Sequence, residues 1–150
     1  MIITPNDVDK YDILTWSMFD DVVQNITKEF KDKKIEALFG QPRGGLPLAV
    51  ALSHTLEIPL LDNLKIIKDM KKFGKNVLWV DDIVDTKKTF NENKENFTHF
   101  TSWVSRVNIT GLYHTYISNK WVIFPWETLN NAEEDKINYI KKRTSEGYIE

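Results

Sequence analysis

The stretch VLWVDDIVDTKKT, residues 77–89, decides how the rest of the chain is read. Val77 to Val80 are four apolar residues in a row, a pattern that suits a parallel strand buried on both faces. Asp81, Asp82 and Asp85 come directly after it. One aspartate at a strand end is ordinary, because strands end near solvent. Three within five positions, two of them adjacent, is less so: neighbouring carboxylates repel unless something neutralises them. A hard divalent cation or a cationic substrate offsets that repulsion. An all-oxygen set suits magnesium, which keeps several waters and is held partly by substrate phosphates. From Asp85 to Thr89 the backbone N–H groups and the hydroxyls of Thr86 and Thr89 can turn toward one point. Such a turn, running into a helix start, is an anion-binding nest, and Lys87 or Lys88 adds positive charge. The competing reading is a solvated strand end with a helix cap.

Upstream, residues 35–39 read as a short strand and residues 40–45 as the turn GQPRGG. Residues 46–56 are an apolar run of good helix formers, with Pro47 near the start, where a missing N–H is tolerated. Strand, glycine-rich loop and helix make an α/β unit with its loop at the carboxyl end of a strand. Gly44 and Gly45 permit close backbone approach or unusual dihedrals, and Arg43 can grip a phosphate or carboxylate with two donors. Alone, PRGG is read as well by an ordinary turn. Paired with a second loop at the carboxyl end of a parallel strand, it gains meaning, because such loops converge.

Further out, Trp16, Phe19, Val22 or Val23, Ile26 and Phe30 recur at steps of three and four over residues 15–31. They form one apolar helical stripe, with Asp20, Asp21, Gln24 and Lys28 facing outward. Residues 58–61 read as a second short strand. Residues 65–75 are basic, with Ile66, Ile67, Met70 and Phe73 at roughly helical spacing; Lys65, Lys68, Lys71 and Lys72 read as a solvated helix face. Residues 86–96 suit a polar helix, and 100–104, 112–117 and 121–124 suit strands. In the tail, Asn131 with Glu134 resembles a capping box. Lys141, Lys142 and Arg143 favour a helix end, and Gly147 a stop.

The chain has 150 residues, 41 % of them apolar, which is one domain's worth and enough to bury a real core. Absence of cysteine excludes a disulfide scaffold, a thiolate nucleophile and a Cys-ligated metal. His54, His99 and His114 match no zinc spacing. A net charge of -2, evenly spread, gives no reason to expect nucleic acid as a partner. No signal peptide or membrane span is read, so the expectation is a cytoplasmic protein. WVIFPWE, residues 121–127, is a further element. An exposed tryptophan near such loops stacks on a planar base, a contact worth roughly 1–3 kcal/mol; the alternative for Trp121 and Trp126 is the core, where Trp79 is expected.

Residues 77–89 resemble the phosphoribosyl-pyrophosphate signature of the type I phosphoribosyltransferases: an apolar strand, two acidic residues, then an aspartate–threonine turn. PRGG is similar to that family's pyrophosphate loop. The segment WVIFPWE looks most like the small purine (xanthine–guanine or hypoxanthine-like) phosphoribosyltransferases. The resemblance spans about residues 15–127. It implies an α/β, type I phosphoribosyltransferase-like fold: a mainly parallel central sheet flanked by helices, with a small C-terminal hood. It also implies transfer of 5-phosphoribose from phosphoribosyl pyrophosphate to a 6-oxopurine, with magnesium, in a homo-oligomer (dimer or tetramer). On this mapping Arg43, Gly44 and Gly45 hold pyrophosphate. Asp81 and Asp82 contact the ribose hydroxyls directly or through the metal. Asp85 exchanges a proton at purine N7, and Asp85, Thr86, Lys87, Lys88 and Thr89 wrap the 5′-phosphate. Arg106 stands where the family places a lysine that reads the 6-oxo group. Trp121 stacks on the base, the Val122 backbone faces its exocyclic edge, and Trp126 is structural. The alternative is a non-catalytic protein of this fold that binds nucleotide or phosphoribosyl pyrophosphate.

Two departures stand out. Lys87 replaces the glycine usual in the family's aspartate–threonine–glycine turn; at φ > 0 a lysine is strained by about 1–2 kcal/mol, unless the turn is reshaped. The family's long closing loop, which begins with serine and tyrosine, has no counterpart in the 15 residues between Leu61 and Val77. A closing lid excludes water from the reacting centre, so its loss bears on turnover.

Overall fold

Val77 to Val80 sit at the centre of a four-stranded sheet in the computed structural model, which describes residues 10–145. The strands are β2 (Ile35–Gly40), β3 (Asn76–Val84), β4 (His99–Ser105) and β5 (Leu112–Ile117), in that spatial order, and every neighbouring pair is parallel. A parallel strand with helices over the sheet is buried on both faces, and this dictates an unbroken apolar run. Val77, Leu78, Trp79 and Val80 are each fully buried.

The crossover from β2 to β3 carries α2 (Leu46–Thr55) and α3 (Leu64–Lys72), and the one from β3 to β4 carries α4 (Lys87–Asn93). Helix α2 packs on β2 and β3, and α3 and α4 pack on β3. The β4–β5 connection, residues 106–111, has no helix. The core under this sheet joins Ala37, Phe39, Ile67, Val77, Trp79, Phe97 and Phe100. Each large apolar side chain taken fully out of water contributes about 1.5–3 kcal/mol.

These elements form one unit, residues 20–117. A second unit combines the two ends of the chain. In it, β1 (Tyr11–Ile13) pairs in parallel with β6 (Trp121–Ile123), followed by α5 (Leu129–Ser145). The small sheet expected from the C-terminal strands thus takes only β6 from that end; its other strand is N-terminal, and β5 belongs to the main sheet. The unit boundary falls within α1 (Trp16–Phe30), after Phe19.

Several expectations are corrected. Strand β3 does not stop at Val80. Asp81 pairs with Ser102, Ile83 with Val104 and Val84 with Ser105, because β4 continues alongside and keeps the ladder going. Residues 58–61 do not form a strand: Leu60 makes a single parallel bridge to Leu38, with hydrogen bonds Leu38 N–H to Pro59 O and Leu61 N–H to Leu38 O. Within α1, Phe19, Val22, Val23, Ile26 and Phe30 are buried as expected, but Trp16 is 55 % exposed at the first turn. The cap of α5 is Thr128, whose hydroxyl accepts from the Asn131 N–H at 3.3 Å; Asn131 itself lies inside the helix. Gly147 and the side chains of Lys142 and Arg143 lie outside the described residues. No described helix is long and apolar enough to cross a membrane.

Candidate functional site

The glycine-rich loop leaves β2 and is fastened to β3 through Gln41. Its N–H donates to Val80 O at 2.8 Å, its carbonyl accepts from Gly45 N–H at 2.9 Å, and its side-chain oxygen accepts from Trp79 Nε1 at 3.0 Å. The buried indole therefore anchors the loop from below. The peptide bond between Pro42 and Arg43 is cis. Arg43 is exposed at the loop, while Gly45 is buried and opens α2.

Both glycines are required for room rather than for unusual dihedrals. Gly45 has φ −75°, which any residue adopts. A Cβ there would lie 2.7 Å from both Gln41 O and Val80 O; a Cβ on Gly44 would lie 1.9 Å from Asp82 Oδ2. Backbone 44–45 thus lies directly against the acidic end of β3, and Gly44, Gly45, Asp81 and Asp82 are brought together.

Asp81 is only 7 % exposed. Its Oδ1 accepts the Asp82 N–H at 2.8 Å, and Asp82 Oδ1 accepts the Ile83 N–H at 2.7 Å. Burial pushes the Asp81 carboxyl well above its ordinary value, and the neighbouring Asp82 and Asp85 charges push the same way. Burial raises Asp82 too, but hydrogen bonds from the Asp81 side chain and the Ile83 N–H pull it back. Both carboxyls are therefore raised, Asp81 the more strongly. Such a pair suits magnesium as a partial ligand set. Among the described residues no cluster of three or more His, Cys, Asp or Glu side chains is placed to hold an ion, so most of the coordination would fall to substrate oxygens and waters.

Past β3, Thr86 caps α4: its backbone is extended and its hydroxyl accepts from the Lys88 N–H at 3.3 Å. Lys87 is the first helical residue, so the strain expected of a lysine at positive φ does not arise. The turn is reshaped into an ordinary N-cap. Lys87 and Lys88 are exposed, and the Thr89 carbonyl accepts from Asn93 Nδ2 at 2.8 Å. Asp85 is paired with Arg106: Nε donates to Oδ1 at 2.6 Å. Neither this pair nor the Gln41 anchor was read from the sequence. The pair follows from the β3–β4 register, which single-strand patterns do not carry; Gln41 carried no signal beyond its place in the loop.

Trp121 and Val122 belong to the other unit, opposite Tyr11 and Asp12 of β1. The Trp121 ring lies 5.3 Å from that of Tyr139 on α5, and Val122 is buried. Trp126 is structural, as expected: it stacks on Phe124 at 5.0 Å and meets Phe19 edge-on at 6.0 Å. Where a long closing loop was sought, between Leu61 and Val77, the chain forms α3, capped by Asn63 and seated by the buried Ile67. Its Lys65, Lys68 and Lys72 face solvent, and Lys71 donates to Glu95 O at 2.5 Å.

No family model and no curated protein sequence matches the chain. Solved structures do. The chain is similar to a purine phosphoribosyltransferase from Pyrococcus horikoshii Ot3, with 26 % identity and a TM-score of 0.66 over 80 % of this chain and 95 % of that one. It is also similar to the Helicobacter pylori xanthine-guanine-hypoxanthine phosphoribosyltransferase, at 19 % identity and a TM-score of 0.66 over 83 % and 97 %. A hypothetical protein from Neisseria gonorrhoeae, solved with bound ppGpp, matches at 18 % identity and a TM-score of 0.62 over 87 % and 96 %. The architecture, an α/β fold with a parallel central sheet flanked by helices, is that of the type I phosphoribosyltransferases.

Proposed function

We propose that the chain is a single phosphoribosyltransferase domain that transfers 5-phosphoribose from phosphoribosyl pyrophosphate to a 6-oxopurine. The observation that carries this reading is the contact between the glycine-rich loop and the acid pair. Gly44 sits against Asp82 at the carboxyl ends of adjacent parallel strands, where loops of open α/β sheets bind ligands. A polyphosphate sugar needs donors for its phosphates beside acceptors for its hydroxyls, and this junction supplies both.

Arg43 and the Gly44 backbone bind the pyrophosphate, and Gly45, whose N–H is held by Gln41 O, seats the loop close enough for them to do so. Asp82, with Asp81, accepts from the ribose hydroxyls, and Asp85 to Thr89 take the 5′-phosphate with Lys87 and Lys88 nearby. In the transfer, the bond from ribose C1′ to the pyrophosphate oxygen breaks and the electron pair leaves with pyrophosphate. Purine N9 forms the new bond to C1′, and the proton on N7 passes to the Asp85 carboxylate. Arg43 offsets charge on the leaving group; fixed charges aimed where charge develops are usually the largest catalytic contribution. Asp81 and Asp82 would hold magnesium on the protein side, where it would supply further charge neutralisation at the pyrophosphate. Trp121 and the Val122 backbone take the purine-facing roles the resemblance gives them.

The test is product formation from phosphoribosyl pyrophosphate and magnesium with adenine, hypoxanthine, guanine, xanthine and the pyrimidines offered separately. Nucleotide from a 6-oxopurine, lost in Asp85→Asn and without magnesium, supports the reading. Helix α3, standing where a closing loop was sought, favours a second reading: a binding protein without turnover. Saturable phosphoribosyl-pyrophosphate binding with no nucleotide from any base would establish it.

A further inference from the structure

We propose that Arg106 is a positioning residue for Asp85, acting on turnover through that carboxylate rather than by reading the purine. The proposal rests on the transfer reaction above and assigns this position a different task within it.

The pairing is built into the sheet. Val84 at the end of β3 is in register with Ser105 at the end of β4, so the next residue of each strand, Asp85 and Arg106, leave the sheet side by side. The backbone around Arg106 is fixed. Its N–H donates to Val84 O at 2.9 Å, and the Ser105 hydroxyl donates to Val107 O at 2.5 Å while accepting from the Val107 N–H at 3.3 Å. From that footing Arg106 Nε reaches Asp85 Oδ1 at 2.6 Å, with the side chains only 19 % and 21 % exposed. A charge-assisted hydrogen bond this short and this shielded is stronger than a surface ion pair.

The residue type matters. An arginine Nε–H points along a fixed direction in the guanidinium plane, whereas a lysine ammonium is a swivelling point charge on a flexible stem. Holding one carboxylate oxygen by a directional donor fixes where the other stands. A base that takes a proton in the transition state needs that placement, since an error of about 1 Å can cost on the order of a hundredfold. The two roles for Arg106 separate kinetically. A purine reader sets the KM of the base and the choice among bases; a positioning residue sets kcat.

The experiment compares wild type, Arg106→Gln, Arg106→Lys, Asp85→Asn and the Arg106→Gln/Asp85→Asn double variant in steady-state turnover with a 6-oxopurine. Alongside it, the ¹H–¹⁵N resonance of the Arg106 Nε–H is followed in substrate-free protein. We expect Arg106→Gln to lower kcat roughly 10- to 100-fold with the base KM within about twofold. Arg106→Lys should recover part of the loss, and the double variant should be no slower than Asp85→Asn alone. The Nε–H should be protected from exchange in wild type and lose that protection in Asp85→Asn. A raised base KM with kcat kept, losses that multiply in the double variant, or an unprotected Nε–H in wild type would each overturn the proposal. A wild-type protein that forms no nucleotide overturns the reaction and this proposal with it; a protected Nε–H then shows that the pair exists and the reaction was at fault.

Discussion

Gly44 and Asp82 occupy a space with no room for one more carbon: a Cβ on the glycine would lie 1.9 Å from the carboxylate Oδ2. The glycine-rich loop and the acidic strand end are therefore one construction. The strand order puts β2 beside β3, the hydrogen bond from Gln41 N–H to Val80 O continues their pairing into the loop, and the missing side chains let the loop settle on the carboxylates.

This contact orders two substitutions. Gly44→Ala meets the end of a side chain that can turn aside, though Asp82 must then give up its bond to the Ile83 N–H. Gly45→Ala meets two backbone carbonyls at 2.7 Å, which cannot move without opening the β2–β3 junction. We expect Gly44→Ala to cost about 1–2 kcal/mol and Gly45→Ala about 2–3 kcal/mol in denaturant unfolding, the usual range for overpacking. Asp82→Ala should relieve the first and not the second. Equal costs, or none, would mean the loop is not seated as described.

Trp79 carries the loop from inside the core. The indole is fully buried and its N–H holds the Gln41 side chain at 3.0 Å. Trp79→Phe leaves a small void and an unpaired amide oxygen, together about 1.5–3 kcal/mol. Because Gln41 also bonds Val80 and Gly45, we expect weaker phosphoribosyl-pyrophosphate binding by calorimetry as well. Lost stability with unchanged binding would separate the anchor from the site.

Trp121 is assigned the base by resemblance, and its substitution tests that assignment. Stacking on a nucleobase is worth about 1–3 kcal/mol, so Trp121→Ala should raise the purine KM roughly tenfold or more. The KM for phosphoribosyl pyrophosphate should hold, and Trp121→Phe should recover most of the effect. The ring also lies against Tyr139, so the unfolding midpoint is measured on the same samples. A KM that does not move leaves Trp121 as packing for α5.

The parallel sheet was legible because burial on both faces forces an apolar run such as Val77 to Val80, and because strand, glycine-rich loop and helix recur in fixed order. What the sequence hid depends on neighbours. Strand β3 runs on through Asp81 and Asp82 because β4 is there to pair with it, which no local pattern of acidic residues suggests. Residues 58–61 have strand composition but find one bridge partner, Leu38. Lys87 looked strained only if its turn needed positive φ; Thr86 capping the helix removes that need. At the site, Arg43, Gly44, Gly45 and the aspartates were readable as residue types in loops. That Arg106 meets Asp85 was not, since the meeting is set by register between strands about twenty residues apart in sequence.

The acid pair also fixes a pH dependence. Both carboxyls are raised above the ordinary 3.8, Asp81 the more strongly, mainly by burial. Between that value and the raised ones the folded protein holds protons that the unfolded chain has released. Unfolding then releases protons, so this contribution to stability is complete at low pH and is lost as pH rises through the folded-state values. Asp81→Asn removes the more strongly raised of the two carboxyls while keeping an acceptor for the Asp82 N–H. We therefore expect the unfolding midpoint of Asp81→Asn, relative to metal-free wild type, to climb as pH rises from the ordinary carboxyl value of 3.8 through the raised one. Magnesium with pyrophosphate works in the opposite sense, since it needs the carboxylates deprotonated, and its stabilisation of wild type should grow over the same interval. Asp81→Asn should lose most of that gain. A midpoint difference that is flat with pH would mean the pair is not protonated in the fold, and an undiminished magnesium effect in Asp81→Asn would remove Asp81 from the metal's partners.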